Sequence, residues 1–141
     1  MCGITGFLRL DVADATATVK EMCETIRHRG PDGGGVTVRD GVALAVLLVA
    51  AVGRTLVNVP SVGLAAGKQL QDEGVHFKTR SDTEVVLRLY ERDPERVEEH
   101  LVGMWAFAIH DRRRKRLTLS RDRFGIKPFF IADTGRALAF G

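Results

Sequence analysis

Apolar residues change their spacing several times along the chain, and each spacing predicts a different element. Residues 4–10 are largely apolar, which predicts a strand that begins almost at the first residue. Between positions 16 and 28, apolar residues recur every three or four positions, as they do along one face of a helix. A second helical pattern runs from Asp82 through Tyr90, and Asp82 is of the residue type that caps a helix N-terminus.

The segments around these helices predict loops and further strands. The glycine-rich run at 30–35 predicts a loop, because glycine and proline interrupt regular elements. Alternating apolar and polar residues predict a strand at 75–79, and Pro94 predicts the first turn of a short helix that ends near Gly103. Strands, two or three helices and then more strands predict an α+β fold with mostly antiparallel sheets. The other predicted strands are 36–38, one from 42 onward, a hairpin of 104–110 and 117–120, 129–132 and 137–140.

Composition and charge agree with one globular domain. The chain has 141 residues, of which 45% are apolar and 28% are charged, so it is long enough to bury a core. The net charge is only +3, and part of the excess is local, at 112–116, between the two strands of the predicted hairpin. Nucleic-acid binding needs basic residues spread over a face together with aromatic side chains, so we expect no nucleic-acid partner.

The cysteines and the apolar stretches determine the expected compartment. Two widely separated cysteines, Cys2 and Cys23, provide neither a disulfide framework nor a zinc-binding spacing, so we expect no metal site. Cys23 lies on the predicted helix face and is interpreted as a small buried residue. The longest uncharged stretch runs from Gly41 to Gly53, short of the ~20 residues of a membrane span. Without such a span or a secretory signal, we expect a cytoplasmic protein.

Cys2 is the most informative residue for chemistry because of its position. If Met1 is removed, Cys2 carries both a thiol and a free α-amine. That amine titrates near pH 8 and can accept the thiol proton at neutral pH, which makes an activated nucleophile on a single residue. The alternative, from position alone, is an ordinary cysteine that happens to follow the start codon.

Five segments match the sequence motifs of a known family and occur in the same order. They cover most of the chain outside 45–74, and they are MCGITGF at 1–7, RHRGPDG at 27–33, RSDTEV at 80–85, GMWAFA at 103–108 and SRDRFGIKP at 120–128. Together they resemble the N-terminal glutaminase domain of glutamine-hydrolysing asparagine synthetases. These are class II amidotransferases with an N-terminal nucleophile.

The resemblance implies a fold, a reaction and a set of site residues. The family fold is a four-layer α-β-β-α sandwich of two stacked antiparallel sheets, of the N-terminal nucleophile hydrolase type. The implied reaction is hydrolysis of glutamine to glutamate and ammonia, with Cys2 as the nucleophile and its α-amine as the proton carrier. Asp82 matches the residue that binds the substrate α-ammonium group, a role that a helix cap at the same position does not exclude. The resemblance implies no cofactor in this domain.

The segment 45–74 departs from the family pattern. The family arginine that holds the glutamine carboxylate has no match after Leu44, and the nearest basic residue is Arg54. The family oxyanion hole uses an asparagine side chain and the next backbone N–H group, for which the spacing gives Asn58 and Val59. A simple turn residue is the alternative for Asn58. These departures leave a second function open, namely a catalytically degenerate domain that acts as an interaction or regulatory module.

The resemblance also bears on partners and on two charged loops. Residues 1–141 correspond to the amidotransferase domain alone, and the family's synthetase domain, which uses ATP and Mg²⁺, is absent from the sequence. Ammonia would then pass to a synthetase domain or subunit elsewhere, and a homodimer is left open. Arg29 is interpreted either as a neighbour of the nucleophile or as a structural arginine. A structural network near the sheet ends is predicted for Arg121, Asp122, Arg123 and Lys127.

Overall fold

The chain forms two antiparallel sheets with helices packed against them. A computed structural model describes residues 3–8, 14–29, 33–48, 57–58, 64–79 and 81–141. The first sheet consists of β1 (Gly3–Leu8), β2 (Gly33–Arg39), β3 (Val42–Leu48), β7 (Ile131–Asp133) and β8 (Leu138–Phe140), in the order β2-β3-β1-β8-β7. The second consists of β4 (Val57–Asn58), β5 (Ala106–Asp111) and β6 (Arg116–Arg121), in the order β4-β5-β6. The helices are α1 (Ala15–Thr25), α2 (Leu64–Asp72) and α3 (Asp82–Arg92), with 3₁₀ turns at Arg27–Arg29 and Val97–His100.

Strand β1 lies in the middle of the first sheet, between β3 and β8. Its first residue, Gly3, is in register with Leu47 of β3, and its last residue, Leu8, is in register with Val42. Because side chains alternate across a strand, successive residues of β1 contribute to opposite faces of the sheet. Strand β3 pairs along all of β1, whereas β8 pairs only with its second half, residues 6–8.

Three clusters of buried side chains show how the elements are layered. The cluster between α1 and the first sheet contains Phe7, Val19, Cys23, Ala43 and Ala45. The cluster between the two sheets contains Ile4, Val42, Leu44, Ala106, Ala108, Phe129 and Phe140. The cluster between the second sheet and the helices α2 and α3 includes Leu70, Val86, Leu89, Trp105, Phe107 and Ile109. The predicted α+β fold with antiparallel sheets is confirmed, and the packing is compatible with a four-layer sandwich.

Two segments differ from the sequence prediction in their strands. The loop predicted over 30–35 is wrong for its second half, because Gly33–Gly35 begins β2 and pairs with β3. Pairing with β3, the next strand of the chain, overrides the weak strand propensity of glycine. The strand predicted at 75–79 is also wrong. Val75 and Phe77 pack against the helix cluster, which explains their alternation without a neighbouring strand.

The helices differ from the prediction at three points. Asp82 is not the N-cap of α3 but its first residue, and Ser81 occupies the N-cap position. Helix α2 was not expected from the sequence, since the helical pattern there is short and interrupted by Gly67. The helix predicted after Pro94 is instead a 3₁₀ turn at Val97–His100. The predicted helix at 16–28, the hairpin around the basic turn and the two last strands are confirmed, with ends shifted by a few residues.

Candidate active site

Cys2 immediately precedes β1, the central strand of the first sheet. Cys2, Arg54 and Val59 lie outside the described residues, so their predicted roles remain predictions. What the structure does define is the support beside Cys2, because Gly3 is already paired with Leu47. The chain is therefore held by β3 from the first residue after Cys2 onward.

Asn58 ends the short strand β4, at the edge of the second sheet. Its backbone is in register with Ala106 of β5. Although β4 and β1 belong to different sheets, the two strands contact each other. The structure therefore brings the strand that carries Asn58 into contact with the strand that follows Cys2, and the oxyanion role of Asn58 stays a prediction.

Asp82 begins α3 and is half-buried. A carboxylate in the first turn of a helix is stabilised by the helix dipole and by the N–H groups there. Val86 of α3 belongs to the same buried cluster as Trp105 and Phe107. Since β5 also pairs with β4, the same strand supports the helix that carries Asp82 and the strand that carries Asn58.

Glu84 organises the segment that leads into Asp82, and sequence reasoning missed it. Its buried carboxylate accepts hydrogen bonds from the backbone N–H groups of Lys78 and Thr79, at 2.9 and 2.6 Å, and from the Thr79 hydroxyl at 2.7 Å. Arg88 adds an ion pair at 3.3 Å. These bonds tie residues 78–79 to the first turn of α3 and so define the backbone course just before Asp82.

A sequence signal for Glu84 was present. Ser81 and Glu84 have the spacing of a capping box, in which the glutamate reaches back to the N-cap backbone N–H. Here the glutamate reaches further, to Lys78 and Thr79, and the Ser81 side chain makes no capping hydrogen bond. The Lys78 N–H, followed by the Thr79 hydroxyl, lowers the pKa of Glu84 to about 2.

Replacing Glu84 by glutamine is expected to lower the free energy of unfolding at pH 7 by about 2 kcal/mol, because buried N–H groups lose a charged acceptor. The folded-state pKa of about 2 lies below the unfolded value of about 4.3, so the stabilisation is present above pH 4.3. It is lost as the pH falls towards 2. Urea denaturation at pH 7 and at pH 2.5 measures the difference, which should narrow at the lower pH.

The matched control is Glu91→Gln, which removes the exposed partner of Arg88 on the same helix. This change is expected to alter stability by less than about 0.5 kcal/mol at either pH, as is usual for exposed ion pairs. A stability gap for Glu84→Gln that is equally large at pH 7 and pH 2.5 would contradict the role of the ionised carboxylate.

The predicted network at 121–127 is structural. Asp122 is buried, and its carboxylate accepts hydrogen bonds from the backbone N–H groups of Ile126 and Lys127, each at 2.9 Å. Burial is the largest influence and raises its pKa, but the N–H donors together outweigh it and the pKa lies below its ordinary value. Arg121 donates to the Gly125 carbonyl. These bonds close the turn and form the predicted structural network, in which Lys127 takes part through its backbone N–H.

Arg123 connects this turn to the helical side of the molecule. Its guanidinium donates to the carbonyl groups of Glu98 and Leu101 and lies 5.5 Å from the centre of the Trp105 ring. Trp105 is buried and donates its indole N–H to the Ser120 hydroxyl at 3.0 Å. Two of the recognised segments, 103–108 and 120–128, are thus bonded to each other.

The remaining sequence predictions concern Arg29, Cys23, metal binding and membrane spans. Arg29 ends the 3₁₀ turn at Arg27–Arg29, and its side chain lies outside the described residues. Cys23 is buried on α1, as predicted, and burial raises the pKa of its thiol. Among the described residues, no group of three or more His, Cys, Asp or Glu side chains is placed to hold a metal ion. In the same part of the chain, no helix has the length and apolar character to cross a membrane.

Comparison with known proteins gives one consistent result. The chain matches the family model of the glutamine amidotransferase domain over residues 1–59 and 65–141. It is 32% identical to asparagine synthetase [glutamine-hydrolyzing] 3 of Bacillus subtilis, an alignment that covers 100% of this chain and 26% of that protein. It is 31% identical to asparagine synthetase B [glutamine-hydrolyzing] of Escherichia coli, with 93% of this chain and 27% of that protein covered.

A third relative is archaeal. The chain is 30% identical to putative asparagine synthetase [glutamine-hydrolyzing] 1 of Methanocaldococcus jannaschii, over 99% of this chain and 32% of that protein. The chain therefore spans about a quarter to a third of the length of these relatives. By a match over nearly all of its length, the chain belongs to the glutamine amidotransferase domain family, in the form found in glutamine-hydrolysing asparagine synthetases.

Proposed function

We propose that this chain hydrolyses glutamine to glutamate and ammonia through the thiol of Cys2. The observation that carries the proposal is the family match, which includes residues 1–59 and therefore the cysteine at position 2. The relatives are named as glutamine-hydrolysing enzymes. The contact between β1 and β4 supports the same assignment, because it joins the strand after Cys2 to the strand of Asn58.

The reaction needs a nucleophile, a proton carrier, an oxyanion donor and a group that recognises the amino acid. The Cys2 thiolate attacks the side-chain amide carbon, and its α-amine passes the proton to the departing ammonia. Water then cleaves the thioester and releases glutamate. Asn58 and the Val59 N–H are proposed to stabilise the oxyanion, a kind of interaction of which one donor is typically worth about 10²–10³ in turnover. Asp82 pairs with the substrate α-ammonium, and Arg54 is the candidate for its carboxylate.

The layered packing supports the sandwich architecture of N-terminal nucleophile hydrolases. In such a sandwich the nucleophile stands at the start of a central strand, and β1 occupies that place in the first sheet. The ammonia formed is proposed to serve amide synthesis by an ATP-dependent synthetase domain or subunit in the cytoplasm. This domain itself is proposed to need no cofactor.

Substrate recognition by Asp82 provides the test. We expect the chain to release glutamate from glutamine, and we expect Asp82→Asn to lower kcat/KM for glutamine by about 10–100-fold, since a charged hydrogen bond is lost. Glutaramate, which lacks the α-ammonium group, should be hydrolysed equally poorly by both proteins. Asp72→Asn, an exposed acid at the end of α2, is the matched control and should leave both rates unchanged.

The same assay decides between this function and a degenerate domain. The family model leaves residues 60–64 unmatched, directly after Val59, which is the observation that favours the second possibility. Glutamine binding without glutamate release would support a regulatory module and contradict the glutaminase. Release of glutamate at equal rates by the wild type and Asp82→Asn would contradict the assignment of Asp82 alone.

A further inference from the structure

A groove opens between the two sheets at one end of the molecule. Its volume is about 470 Å³, within the range of roughly 300–1,000 Å³ that small-molecule sites occupy. The apolar part of its lining is Leu8 and Val42 from the first sheet and Leu117 from the second. Since both sheets contribute, the groove continues the space that the inter-sheet cluster fills with side chains.

The groove is separate from the candidate active site. Leu8 is the last residue of β1, whereas Gly3, the neighbour of Cys2, is the first. A strand rises about 3.3 Å per residue, so these two residues are about 17 Å apart along β1. A ligand in the groove therefore does not occupy the position of a glutamine that reacts with Cys2.

The charged part of the lining is predominantly basic. His110, Arg112, Lys115 and Arg116 border the groove, and Asp40 is the one acidic residue among the lining residues that the structure describes. Arg112 is paired with Asp40 at 3.0 Å, and Arg116 is paired with Glu95. Both pairs are at least 40% exposed, so an incoming anion can replace their weak mutual attraction. Lys115 has no salt-bridge partner among the residues that the structure describes.

Asp111 bonds to the turn that presents Lys115 at three points. Asp111 accepts the backbone N–H groups of Arg113 and Arg114 and forms an ion pair with the Arg114 side chain at 2.8 Å. The Arg114 guanidinium, followed by these N–H groups, holds the pKa of Asp111 below its ordinary value. Lys115 has φ of 50°, in the left-handed region that favours glycine or asparagine. A lysine thus occupies, at the edge of the groove, a backbone conformation that few residues with a side chain adopt.

We infer that this groove binds a small organic anion, with its phosphate or carboxylate group at the basic side chains and its apolar body against Leu8, Val42 and Leu117. The basic run at 112–116 then has a role that the glutaminase reaction does not use. A small ligand fits better than a nucleic acid, because the basic residues converge on a cleft and the described residues that line it include no Phe, Tyr or Trp for base stacking.

Calorimetric titration of the full chain with 1-naphthyl phosphate tests the inference, with inorganic phosphate and 1-naphthol as probes of the two halves. We expect 1-naphthyl phosphate to bind at least about tenfold more tightly than either half. Lys115→Asn removes the charge and suits the backbone at that position, and it should weaken binding about tenfold. Arg113→Gln removes one charge from the same turn outside the lining, and it should change affinity less than about twofold.

Each other outcome would overturn the inference. Absence of binding, equal binding of 1-naphthol and its phosphate, or equal weakening by Lys115→Asn and Arg113→Gln would each do so. A single-stranded RNA that binds more tightly than 1-naphthyl phosphate and depends on both residues would replace the small ligand with a nucleic acid. Because glutamate release is measured separately, failure here leaves the proposed glutaminase unaffected.

Discussion

Replacing Cys2 by alanine is expected to lower glutamate release from glutamine by at least about 10³-fold. In the proposed mechanism the thiol forms the covalent intermediate, and neither Asn58 nor Asp82 can replace a nucleophile. The measurement is steady-state glutamate formation by the purified chain, after mass spectrometry has shown that Met1 is removed. Equal rates in the wild type and Cys2→Ala would refute the proposed mechanism.

The second cysteine of the chain is the matched control. Cys23 is 8% exposed on α1, and burial raises the pKa of its thiol, so it is a poor nucleophile. Cys23→Ala is expected to keep the glutaminase rate at a modest loss of stability. An electrophilic glutamine analogue should add one label to the wild type and to Cys23→Ala, and none to Cys2→Ala. If the label were instead lost in Cys23→Ala, the reactive thiol would be Cys23, and the proposed role of Cys2 would be wrong.

The proposed role of the Cys2 α-amine as proton carrier can be tested separately from that of the thiol. If the amine of Cys2 carries the proton, a chain that retains Met1 has that nitrogen in a peptide bond and cannot use it as a base. Such a chain is expected to be about as inactive as Cys2→Ala while folding normally. Full turnover with Met1 in place would show that another group carries the proton.

Local patterns predicted the parts of the fold in which local and long-range preferences agree. The helix at Ala15–Thr25 and the hairpin of Ala106–Asp111 and Arg116–Arg121 have clear spacing and also bury their apolar faces. The prediction failed where a partner outside the segment decides its structure. Gly33–Gly35 extends because β3 lies beside it, and residues 75–79 do not pair as a strand because the N–H groups of Lys78 and Thr79 donate to Glu84.

The candidate site shows the same division. Cys2 and Asp82 could be recognised from their motifs, since each lies in a segment that resembles the family. Glu84 lies in the same segment as Asp82, yet its role depends on a loop that folds back onto α3, which spacing alone does not reveal. For Asn58 the spacing gave the predicted position, and the contact between β4 and β1 could be learned only from the structure.

Gly6 lies in the segment that carries the resemblance, and Gly6→Ala is expected to lower the free energy of unfolding by about 3 kcal/mol. A Cβ atom there would lie 2.5 Å from the Ala43 carbonyl oxygen, 2.6 Å from Phe140 and 2.8 Å from Leu44. The carbonyl belongs to β3, which pairs with β1, so relief requires a shift of one of these central strands. For a domain of this size the melting temperature should fall by roughly 10 °C.

Gly35→Ala is the control, because it replaces a glycine by alanine in the same sheet without a steric clash. Gly35 lies on β2 in the same sheet, and nothing lies within 4 Å of a Cβ added there, so its substitution should change stability by less than about 0.5 kcal/mol. Urea denaturation of both variants gives the comparison, and equal losses would contradict the close packing of β1. Because β1 begins directly after Cys2, a displaced strand also moves the nucleophile. Gly6→Ala should therefore lose glutaminase activity even at temperatures where it remains folded, whereas Gly35→Ala should keep it.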